Sequence, residues 1–280
     1  MCQVGGFLII CLSLLAMASA QEPSAAPAEA GDAAPRLIFS SEFDTDVDLR
    51  SGLKWKTSWP LGAGVNSRST PGEMQIYVDV RKGEKFAPSP FQVANSTLTI
   101  TARPTAGLPR PFTYTSGCLS TAGLFSFQYG YAEIRCQAPG GKGFWPTFWL
   151  MRWTHKWDDV VWPPEVDIFQ ASSRINNQYY PAVFSGTKQK PIEAGQFIDT
   201  GVDISQAMHT YGFEWTTTQM TWYFDGKVVM QKPSPSGTAV RMYLLLSLAA
   251  GDDGEWIGKP DGSTQSWQID YVRVWDRKPR

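Results

Sequence analysis

From Leu37 onward no long stretch of the chain repeats its apolar positions at the 3.6-residue period of a helix. Short β-rich segments take its place, bounded by Gly, Pro, Asn and Asp: "STLTITA", "YAEIRCQA", "MTWYFDGKVVM", "MYLLLSLAA" and "WQIDYVRVW". Several alternate with period two. Thr97, Thr99 and Thr101 share one face, and Leu98, Ile100 and Ala102 share the other. Asp225-Gly226 inside "FDGKVV" predicts a tight hairpin. Many short strands with regular turn signals predict an all-β fold, a β-sandwich or jelly roll. Residues 37–280 show no internal repeat and no second composition regime, which predicts a single domain.

The N-terminus reads differently. Val4 to Met17 is an apolar run too short for a comfortable membrane span, and Ala18-Ser19-Ala20 fits a small-residue cleavage site. Residues 1–20 are therefore expected to be a signal peptide, although no Lys or Arg precedes the apolar run. Ile10 before Cys11 argues against lipidation. Residues 21–36, rich in Ala and Pro, read as a linker. The expected location is secreted or periplasmic, with no membrane contact after signal cleavage.

Composition narrows the chemistry. The net charge is -1 and no run of Lys or Arg makes a phosphate-binding stripe, so nucleic acid is not an expected partner. Two His, His155 and His209, exclude a His-rich metal site, and His209 in "MHTYGFEW" reads as a structural hydrogen-bonding residue. No glycine-rich phosphate loop precedes a helix, so no nucleotide cofactor is expected. Twelve Trp, ten Tyr and fifteen Phe build either a large aromatic core or a groove of flat faces suited to sugar rings. Once the leader is removed, Cys118 and Cys136 remain, placed symmetrically about Phe127. They form either a cross-strand disulfide or two buried thiols.

The segment "WPPEVDIFQ" carries the sharpest chemical signal. In an extended strand Glu165 and Asp167 point to one face while Val166 and Ile168 point to the other. Gln170 has the wrong parity, unless a bulge around Ile168-Phe169 inserts one extra residue. With that bulge, positions 165, 167 and 170 line one face, as a retaining glycosidase would require of its carboxylates. Without it, the acids are a polar stripe on an edge strand.

Five stretches in order, "LIFSSEFD", "YTSGCLSTAGLFSFQYGYAEIRCQAPGGKGFWPTFWLM", "WPPEVDIFQ", "HTYGFEWTTTQMTWYFDGKVV" and "WQIDYVRVW", resemble family-16 glycoside hydrolases from Leu37 to Trp275. The resemblance implies a concanavalin A-like β-sandwich jelly roll with a concave glycan-binding cleft. It implies Glu165 as nucleophile, Asp167 as the assisting carboxylate and Gln170 at the acid/base position. Trp145, Trp149 and Trp162 are similar to residues of the concave face. Glu42 and Asp270 resemble residues that surround a structural calcium; no cofactor is required. Phe184 stands where relatives often carry a cleft His, and Ser247 where they often carry Asn.

Gln170 is the main departure, because an amide does not titrate at useful pH. It is a deliberate isosteric change, a natural step to a sugar-binding protein, or part of a slower mechanism. The implied function is an exported, endo-acting, retaining β-glycan hydrolase cutting β-1,3- or β-1,3/1,4-glucan or a related polysaccharide. The alternative is a non-catalytic carbohydrate-binding protein on the same fold. The expected partner is polysaccharide, and the expected state is a monomer.

Overall fold

The computed structural model describes residues 34–60, 72–82, 86, 88–152, 164–187, 189–235, 237–251 and 254–280. The segment expected to be a signal peptide, most of the expected linker, His155 and Trp162 lie outside the described residues. From Pro35 to Arg280 the chain forms one compact unit.

Among the described residues, strands dominate and the few helical turns are three or four residues long. One sheet holds β1 (Leu37–Ser41), β2 (Gln75–Tyr77), β3 (Phe91–Ala94), β4 (Thr97–Pro104), β5 (Tyr114–Ser116), β7 (Gly130–Gln137), β14 (His209–Trp215), β15 (Gln219–Phe224), β16 (Lys227–Pro233) and β18 (Gln265–Trp275). The other runs in the order β12 (Lys190–Gly195), β11 (Ala182–Thr187), β9 (Glu165–Gln170), β8 (Phe144–Arg152), β17 (Met242–Ala250) and β6 (Cys118–Ser120). A small pair, β10 (Gln178–Tyr179) and β13 (Ile198–Asp199), stands apart.

The two large sheets face each other across one apolar core. Leu98, Ile100, Ile134, Phe213 and Trp267 enter it from the first sheet, and Phe148, Leu150, Val166 and Leu246 from the second. The alternation in β4 is realised: Leu98, Ile100 and Ala102 are buried and the threonines between them are not. Asp225 and Gly226, both at positive φ, close the β15–β16 hairpin in the left-handed conformation such a two-residue turn demands.

β17 is buried along its whole length, unlike β4. Leu244, Leu246 and Leu248 pack into the sandwich core, whereas Tyr243 and Leu245 join a second cluster with Trp59, Tyr77, Trp149 and Met151. The six-stranded sheet is thus covered on both faces over part of its area, and the remainder of its outward face is an open cleft. The fold is an all-β jelly-roll sandwich.

Candidate active site

β9 runs antiparallel between β8 and β11. Its register against β8 pairs Asp167 with Trp149 and Phe169 with Phe148, leaving Ile168 as an extra residue. That β-bulge sends both Ile168 and Phe169 into the sandwich core. Parity is reset, and Gln170 comes up on the same face as Glu165 and Asp167. The indole N–H of Trp222, reaching across the core from β15, donates to the main-chain carbonyl of Asp167 at 2.9 Å and ties down the bulged peptide.

Glu165, Asp167 and Gln170 line one cavity of about 360 Å³ with Trp145, Trp149 and Phe184. Glu165 is half-buried, whereas Asp167 and Gln170 are almost wholly buried. Burial raises the Asp167 carboxyl well above its ordinary value, and the neighbouring Glu165 charge adds to the shift. Gln170 donates from Nε2 to Asp167 Oδ2 at 3.3 Å and to the Tyr180 carbonyl at 3.5 Å. The amide is thereby held by its nitrogen, in a place where a carboxyl would have a proton to give.

The remaining sequence-picked residues divide. Trp145 is partly exposed in the cleft, edge-on to Trp256 at 5.5 Å, and its buried indole N–H has no hydrogen-bond partner among the described residues. Trp149 is mostly packed in the second cluster, but its N–H reaches Ser247 Oγ at 3.2 Å. Ser247 lines the cavity from β17, directly opposite Thr147 of β8. Phe184 lies across the strand from Glu165. His209 stays outside the cleft, bonded through Nδ1 to Asp225 at 2.8 Å and stacked on Phe224.

Several cleft residues were not anticipated from sequence. Tyr77 lines the cavity, and Tyr180, Phe197 and Trp256 form an aromatic extension beyond Gln170 together with Trp145. Glu193, on β12, borders both the cavity and its extension. These residues stand in loops, in a single helical turn or on edge strands, where no period or motif marks them. Their composition, aromatic and acidic, was the only available signal.

The structure decides between the two readings of the cysteines and bears on the calcium carboxylates. Cys118 and Cys136 are both free and buried. Their strands belong to different sheets: Cys118 on β6 packs in the outer cluster and Cys136 on β7 in the sandwich core, so no cross-strand bridge forms. The carboxylates proposed for calcium are already matched to cations. Glu42 receives Arg273 in a fork at 2.9 and 2.6 Å, and Asp270 pairs with Arg135 at 2.6 Å. A calcium ion needs six to eight oxygen ligands, and no group of three or more His, Cys, Asp or Glu able to hold a metal occurs among the described residues. These side chains do not fit the ion as they stand.

The fold and the cleft define a class: a jelly-roll protein with acidic residues on one strand of a cleft lined by aromatic rings. The profile of Glycosyl hydrolases family 16 matches residues 80–273, and the chain belongs to that family. It is 34% identical over 251 residues to the endo-1,3-1,4-beta-glycanase ExsH of Rhizobium meliloti, covering 85% of this chain but only 51% of that protein. The match thus spans about half the length of that relative. A beta-glucanase of Rhodothermus marinus is 28% identical over 269 residues, 87% of each chain. The laminarinase catalytic domain of Thermotoga maritima superposes with a TM-score of 0.69 at 24% identity, over 89% of this chain and all of that one, and shares its fold.

Proposed function

We propose that this chain is an exported endo-acting hydrolase of β-1,3- or mixed β-1,3/1,4-linked glucan, acting with retention through a glycosyl ester on Glu165. The observation that carries the reading is the bulge at Ile168, which brings Glu165, Asp167 and position 170 onto the floor of one aromatic-lined cleft. The partly exposed Trp145 ring, lining the cavity, offers a stacking face for a sugar ring. The names of the relatives, glycanase and glucanase, favour β-glucan as the substrate class. Export follows from the apolar leader over residues 1–20.

Glu165 attacks the anomeric carbon in this reading. Asp167, kept protonated by burial, donates a hydrogen bond to Glu165 and stops the two carboxyls from titrating together. Gln170 preserves the shape of the acid/base position without its proton, and removing that proton costs about 10²–10⁴-fold in rate. The same residue favours a second reading, a protein that binds glucan without cutting it.

Reducing-end release from β-1,3- and mixed-linkage glucans separates the two. The native chain is expected to cut slowly and Gln170→Glu to cut faster. If neither cuts while both retain glucan in a pull-down, the hydrolase reading is wrong and the binding reading stands.

A further inference from the structure

The cleft holds one carboxylate with no assigned task. Glu193 lies on β12, two strands from Glu165, and the register Glu165–Phe184–Glu193 places all three in one row across the sheet. All three line the same cavity. Two strand spacings put the Glu165 and Glu193 backbones roughly 9.6 Å apart. The Phe184 side chain rises between them on the same face, so a sugar lying over that ring would have one carboxylate on either side.

Glu193 is exposed at the edge of the cleft and has a partner there. The Tyr180 hydroxyl donates to Glu193 Oε1 at 3.4 Å, while the Tyr180 carbonyl accepts the Gln170 amide. The ring can lie there because position 195 is glycine: a Cβ at Gly195 would sit 2.7 Å from it. Burial raises the Tyr180 phenol, and the Glu193 carboxylate beside it adds to the shift. One residue thus links the amide at position 170 to the Glu193 carboxylate.

We infer that Glu193 is the acid/base of this chain, working against Glu165 in place of the amide at position 170. The inference rests on the hydrolase reading given above. In the first step Glu165 bonds to C1 and the glycosidic C1–O bond breaks. Its electron pair goes to the leaving oxygen, which takes the proton of the Glu193 carboxylic acid. In the second, the Glu193 carboxylate takes a proton from water as that oxygen bonds to C1, Glu165 leaves as a carboxylate, and Glu193 is protonated again.

The test uses the full mature chain, with glucan and with a 2,4-dinitrophenyl β-glucan disaccharide whose leaving group needs no proton. Glu193→Gln is expected to lower kcat on glucan by about 10²–10⁴-fold, and by much less for release of dinitrophenol. Azide, which needs no general base, should accelerate Glu193→Ala and give a β-glycosyl azide, with no such effect on the native chain. Tyr180→Phe, which keeps the ring and frees Glu193, should lower glucan turnover and shift its pH profile. Glu193→Gln cutting glucan at the native rate would overturn the inference and leave the hydrolase reading standing, as would azide accelerating the native chain equally. A native chain releasing neither sugar nor dinitrophenol overturns both.

Discussion

Trp222 Nε1 donates to the main-chain carbonyl of Asp167 at 2.9 Å, across the full thickness of the sandwich. The contact joins the buried side of one sheet to the one peptide of the other whose ladder is interrupted. It supplies a partner where the bulge has disturbed the strand pairing. Trp222→Phe keeps most of the ring and removes the donor. A buried carbonyl left without a partner costs about 1–3 kcal/mol. The urea midpoint is expected to fall accordingly, and glucan turnover to fall with it, because the bulge sets the face on which position 170 emerges. A variant with lowered stability and unchanged turnover would show that the bulge holds without the indole.

Asp167 ties stability to pH. Its folded carboxyl titrates well above the ordinary value of 3.8 because it is buried beside Glu165. The folded chain therefore keeps a proton that the unfolded chain has released, and stability falls as pH rises from about 3.9 toward the raised folded value. Asp167→Asn removes that ionisation. Urea midpoints across the series should decline less for the variant over this window and lie above those of the native chain at its upper end. Turnover should drop, since an amide then stands beside Glu165 in place of the carboxyl. Parallel curves for the two proteins would refute the assignment.

The thiols should be silent. Burial pushes Cys136 up to about 12 and Cys118 higher still, so neither offers a reactive thiolate at neutral pH. Dithiothreitol is expected to leave the melting temperature unchanged, and a thiol reagent to label both positions only after denaturation. Labelling of neither in denaturant would mean that a bridge exists.

Gly195 has its own consequence. Alanine there places a methyl carbon against the Tyr180 ring, so the ring must leave the surface of β12. On an edge strand the stability cost should be small. The expected signature is a glucan kcat that falls more than the urea midpoint would explain.

Added calcium and a chelator should leave the melting temperature where it is, because arginines already satisfy Glu42 and Asp270. A calcium-dependent rise would mean that the ion recruits carbonyl oxygens and displaces a guanidinium.

Period-two alternation made β4 legible, and Asp225-Gly226 made the β15–β16 hairpin legible, because each depends on residues adjacent in the chain. β17 was harder to read: with every position buried it has no alternation to show, and only packing tells Leu245 from Leu246. The cysteines were left undecided for a related reason. Symmetry about Phe127 suggests a hairpin, but β6 and β7 join different sheets, a choice made by partners far along the chain.

The candidate site divides in the same way. The sequence by itself determined that Glu165 and Asp167 share a face, since side chains two apart on a strand must. It also determined that position 170 cannot titrate. Whether Gln170 joins them was left to a bulge, and the bulge is fixed by the register against β8 and by an indole from the opposite sheet. Tertiary structure alone placed Glu193 in the row of Glu165, because strand neighbours are set by sheet order and not by sequence distance. Chain-local geometry decides which way a side chain points; only the assembled sheets decide what it meets.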